Sequence, residues 1–109
     1  DIFSLAGLGE TWVAKTNSDS PYTASDGDNI ICDCSTGVIT ITLPASPTIG
    51  MQVKIIDGDG NAGTNNITVD GGSEKVQGDA ADMTISTNSA GIALVYYDST
   101  NGWRLKYND

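Results

Sequence analysis

Six residues, Val38-Ile39-Thr40-Ile41-Thr42-Leu43, restrict what this chain can become more than any other stretch. Ile39, Ile41 and Leu43 alternate with Thr40 and Thr42. Successive side chains on a strand point to opposite faces, so this is a half-buried strand with one apolar side and one wet side. The β-branched residues suit a pleated surface, and Pro44 ends the run because it cannot donate to a ladder. A strand of this kind needs a second layer to cover its apolar face.

The pattern recurs along the chain. Thr11–Thr16, Tyr22–Ser25, Asn29–Cys34, Met51–Asp57, Asn66–Asp70, Met83–Thr87, Gly91–Asp98 and Gly102–Tyr107 all read as strands. Val53 and Ile55, Ile67 and Val69, and Trp103, Leu105 and Tyr107 share faces within theirs. Turn signals such as Asp26-Gly27-Asp28 and Ser35-Thr36-Gly37 separate them, and residues 71–82 read as loop. No helical period is sustained, and no internal repeat is convincing. Glycine is abundant, 13 of 109 residues, and charged residues are sparse at 17%, which fits short strands and many turns. The expected fold class is all-β, an antiparallel β-sandwich or jelly roll of about eight short strands.

The length suits one domain. Residues 1–25 read as a lead-in with the first strand, and residues 26–109 as the β-module. Ile2, Phe3 and Leu5 make the start apolar. A bare apolar tail is costly in water, so these three are expected to contact a neighbouring subunit. The chain opens on Asp1 rather than methionine, which fits a mature product or a piece of a longer protein.

The formal net charge is −9. Phosphate backbones and anionic lipids need a positive surface, so nucleic acid and anionic membranes are not expected partners. No run approaches the roughly 20 apolar residues of a membrane-spanning helix. Histidine is absent, which removes the commonest general base and any Ser-His-Asp or Cys-His group within one chain. Cys32 and Cys34 stand two apart on a strand, with Cα atoms about 6.5–7 Å from each other, at the limit for an unstrained bridge. They read as small buried apolar residues. No enzyme activity is expected.

The segment from Asp57 to Asn66, Asp-Gly-Asp-Gly-Asn-Ala-Gly-Thr-Asn-Asn, carries Asp57, Asp59 and Asn61 at positions one, three and five, as in a calcium loop. Position six is Ala62 rather than glycine, and position twelve is Thr68 rather than a bidentate glutamate. The competing reading is a hairpin connection with Gly58, Gly60 and Gly63 at positive φ. A looser calcium site on Asp57, Asp59 and Asn61 stays open beside it; no other cofactor is expected. The carboxylate pairs Asp26/Asp28, Asp57/Asp59 and Glu74/Asp79 stand in glycine-rich turns with nothing apolar to raise a pKa, unlike the pair a glycosidase needs. Among the aromatics, which include Trp12, Tyr22 and Trp103, Tyr96 and Tyr97 are adjacent. One of the two must face away from the core, where it would contact a glycan or a subunit. Trp103 reads as core because it shares a face with Leu105.

Two segments carry a family likeness. Asp26 to Gly72, "DGDNIICDCSTGVITITLPASPTIGMQVKIIDGDGNAGTNNITVDGG", resembles a segment of bacteriophage virion proteins, the tail fibres, tailspikes and related surface appendages. Leu94 to Leu105, "LVYYDSTNGWRL", resembles their closing hairpin. The first 25 residues lie outside the likeness. Cys32, Cys34 and the long turn at Tyr97-Asp98-Ser99-Thr100 depart from its pattern. The resemblance implies a β-sandwich module, commonly a homotrimer on a virion among other virion proteins, with the glycine-asparagine loop kept for its backbone geometry. It also implies host-surface attachment, with a host-cell glycan as a partner. A capsid decoration or head-fibre protein and a carbohydrate-binding module are the alternative readings.

Overall fold

β4 (Ile39–Thr42) keeps the alternation that its sequence announces: Ile39 and Ile41 are buried, Thr40 and Thr42 half-buried. The computed structural model describes residues 11–106. Within them β4 is one of nine strands. The others are β1 (Trp12–Thr16), β2 (Tyr22–Thr23), β3 (Asn29–Asp33), β5 (Gln52–Asp57), β6 (Ile67–Asp70), β7 (Met83–Ile85), β8 (Gly91–Asp98) and β9 (Gly102–Leu105). A single 3-10 turn, Asn17–Asp19, is the only helical element among the described residues. Ile2, Phe3 and Leu5, expected at a subunit contact, lie outside the described residues.

The fold is all-β, in two mixed sheets. One has the order β1-β3-β5-β8-β9, the other β2-β4-β6-β7. The antiparallel pairing expected from the sequence is confined to the C-terminal strands: β5–β8, β8–β9 and β6–β7. β1–β3, β3–β5, β2–β4 and β4–β6 are parallel. The reason is the path of the chain. From β1 to β6 it alternates between the sheets, so the chain winds as a coil with one strand of each turn in each sheet. Parallel neighbours need a long crossover, and here each crossover contains a strand of the opposite sheet. β7, β8 and β9 then close both sheets in antiparallel fashion.

Winding stacks like residues. Val13, Ile30, Ile55 and Ile92 lie opposite one another across the five-stranded sheet. Ile39, Ile67 and Ile85 do so across the four-stranded one. Both rows face one core, which also takes Leu43, Val53, Val69, Leu94 and Trp103. Burying a side chain of this size contributes about 1.5–3 kcal/mol, so this shared cluster is a large part of what holds the fold together. It leaves the opposite face of the five-stranded sheet, with Trp12, Lys54 and Ile56, to the outside.

Candidate functional site

The Asp57–Asn66 connection is not a hairpin. It leaves β5 in one sheet and enters β6 in the other. Of its three glycines, Gly60 alone has positive φ, at 78°. Gly58 is required for closeness instead, since a Cβ there would run into the Ile31 side chain. Turn composition marks where the chain leaves a strand, but it does not say which sheet the chain enters next.

Asp57 organises this loop. It is 6% exposed. Its Oδ1 accepts the N–H groups of Gly60 (3.1 Å) and Asn61 (3.3 Å). Its Oδ2 accepts those of Ala62 (3.0 Å) and Ser89 (2.8 Å). Burial pushes this carboxyl up, but the N–H donors of Ala62, Ser89, Asn61 and Gly60 outweigh it and hold the group below its ordinary range. Asp59 accepts the Cys34 N–H at 3.2 Å through Oδ1 and the Asn61 side-chain amide at 2.9 Å through Oδ2. Asn65 donates to the Cys34 carbonyl (2.8 Å), and Gly63 N–H donates to Asn88 Oδ1 (2.7 Å). Asp57, Asp59 and Asn61 are thus brought together, and each bonds within the protein. A cation at Asp57 would have to displace backbone donors. Among the described residues no group of three or more His, Cys, Asp or Glu side chains is arranged to hold a metal ion.

Cys32 and Cys34 are buried, unbridged thiols. Burial, then the neighbouring Cys34 and Asp57 charges, push Cys32 up to about 12. Burial, followed by Asp57, Asp59 and Asp33, pushes Cys34 up to about 11. Thiolate chemistry is suppressed at both. Asp33, beside them, is held low by its bonds with Ser35 and then by Asp59.

Tyr96 and Tyr97 point to opposite sides of β8, 6% and 54% exposed. The Tyr96 ring meets Trp103 edge-on at 5.4 Å, and its hydroxyl donates to Glu74 Oε1 at 2.8 Å. Burial, then the Glu74 bond, raise its pKa. Tyr96 is therefore a core residue with its polar tip satisfied, and Tyr97 alone of the pair faces outward. Trp103 is fully buried, as its shared face with Leu105 predicts.

The sequence reading did not single out the outer face of the five-stranded sheet. There Trp12, Asn29, Lys54 and Ala93 form one row across β1, β3, β5 and β8. Two concavities adjoin on this row. One, of about 310 Å³, is lined by Asp26, Asp28, Asn29, Gln52 and Lys54 together with Gly27 and Gly50. The other, of about 340 Å³, is lined by Trp12, Ile56, Ala93 and again Lys54. No sequence motif joins these residues; the parallel register of β1, β3 and β5 and the antiparallel pairing of β5 with β8 bring them side by side. No protein-family model matches the chain, and no curated protein matches it.

Proposed function

We propose that this chain is a non-catalytic structural module of a bacteriophage virion, part of a tail fibre, tailspike or related surface appendage, acting as a homotrimer at the particle exterior. In this reading the two mixed sheets form the two layers of a sandwich around their common core. The observation that carries the proposal is the Asp57 loop. Its carboxylate is spent on four backbone N–H groups from two connections, which supports a loop kept for its geometry, as the resemblance of residues 26–72 implies. The rest of the inventory is in keeping: buried protonated thiols, carboxylates tied into turns, and no histidine. Such a unit resists opening and offers its outside for contact with other virion proteins and with a host surface.

Trimerisation would cover exposed apolar surface such as Ile49, which is 74% exposed, and would give the apolar Ile2, Phe3 and Leu5 of the sequence a partner to contact. Sedimentation equilibrium or native mass spectrometry of the whole chain tests this. The expected species has three times the chain mass at micromolar concentration. A monomer across that range sinks the proposal.

A further inference from the structure

The two concavities on the outer face of the five-stranded sheet meet at Lys54, so together they make one groove with an apolar end and a polar end. At the apolar end stands Trp12, a half-buried indole, with Ile56 and Ala93 beside it. Gly91 keeps this floor low, since a Cβ there would come within 2.6 Å of Ile56 Cγ2. The polar end is held in place before any ligand arrives. Asp26 Oδ1 accepts the Gln52 N–H at 3.0 Å. Asp28 Oδ2 accepts the Tyr22 hydroxyl and the Ser25 N–H, both at 2.9 Å. Gln52 Oε1 accepts Lys106 Nζ at 3.1 Å, and Asn29 donates its amide to the Thr11 carbonyl at 3.2 Å.

We propose that this groove binds a neutral oligosaccharide, one pyranose face stacked on Trp12 and the hydroxyls of that or the next ring held by Asp26, Asp28, Gln52 and Lys54. An aromatic platform beside fixed carboxylate, amide and ammonium groups suits a ligand with apolar C–H faces and an equatorial rim of hydroxyls that both donate and accept. The volume lies in the range of small-ligand sites. Asp26 and Asp28 are matched by the ammoniums of Lys54 in the lining and of Lys106 on Gln52, so the polar end carries no net charge and suits a neutral ligand. The proposal rests on the reading of this chain as a contact module, and it moves the glycan contact from Tyr97 to the row of Trp12 and Lys54.

The test uses the whole chain and two readouts, isothermal calorimetry and tryptophan fluorescence. Trp103 is fully buried, so a ligand-induced spectral change reports Trp12. The probes are gluco-, manno- and galacto-oligosaccharides, with sialyllactose as the anionic comparison. At least one neutral series is expected to bind and shift the fluorescence. Trp12→Ala and Lys54→Met should each weaken binding by about ten-fold or more, while Tyr97→Ala leaves it unchanged. If Trp12→Ala does not fold, Lys54→Met and Gln52→Ala carry the test. Absence of binding by every neutral probe overturns the proposal, as does binding confined to sialyllactose or binding abolished by Tyr97→Ala alone. The mass of each sample is measured alongside. A trimer that binds no sugar removes the groove and leaves the module; a sugar-binding monomer does the reverse.

Discussion

Asp57 is an ionised side chain that gives up nearly all its water, and four backbone N–H groups take the place of that water. Because its folded pKa lies below the ordinary carboxylate value near 3.9, its contribution to stability is complete above that value. It is lost as pH falls through the depressed folded pKa. Thermal melts of the wild type should therefore drop in midpoint as pH is taken below about 4. Asp57→Asn should lose about 2–3 kcal/mol at pH 7 in denaturant titration, since its NH₂ would face backbone donors. Its acid slope should also be shallower. Added calcium should leave the wild-type midpoint where it is, because the loop's acceptors are already engaged. A midpoint raised by calcium would return Asp57, Asp59 and Asn61 to the role of ligands. The acidic residue at the head of the loop is plain in the sequence. Its task is not, because one of its four donors, Ser89, is 32 residues away.

At the level of elements, Gly102 decides whether β9 can close the five-stranded sheet. Its φ is +72°, and a Cβ on it would collide with the Lys75 backbone carbonyl. That carbonyl accepts the Trp103 N–H at 2.8 Å, so the collision would fall on the bond that seats the buried indole. Gly102→Ala should cost at least about 2 kcal/mol, strain and overlap together. Gly27, at φ +86° with open space around it, bears only the strain, and Gly27→Ala should cost about 1 kcal/mol. Paired denaturant titrations check the difference; equal losses would mean that β9 shifts freely. The strands themselves were legible, β4 and β8 almost residue for residue, because alternation reports burial on one face. Their partners were not. Trp12 pairs with Asn29 and Asn29 with Lys54, steps of 17 and 25 residues, while Ile39 pairs with Ile67 at 28. Turns of such unequal length leave no fixed period to detect. The groove was hidden for the same reason, since Trp12 and Lys54 meet only through that register.

For the molecule as a whole, coiling between two sheets makes the core indivisible. Ile30 and Ile55 from one sheet and Ile41 and Val69 from the other pack in one cluster with Trp103 from the closing strand. Peeling away either sheet would expose the apolar face of the other, so unfolding should be a single cooperative transition. Position within the stack then grades local opening. β3 and β5 each have a partner on both sides, whereas β1 and β2 begin the sheet orders and have one partner each among the described residues. In native-state hydrogen exchange the ladder amides of β5 should exchange only by global unfolding. Those of β1 should exchange through a cheaper opening that involves the first turn of the coil. Ile41→Ala, which empties a fully buried site, should remove about 2–5 kcal/mol. Because the core is shared, the loss should appear equally in the protection of β5, a strand of the opposite sheet. A drop confined to the four-stranded sheet would mean that the two sheets unfold separately, and the coiled path would then connect two cores instead of enclosing one.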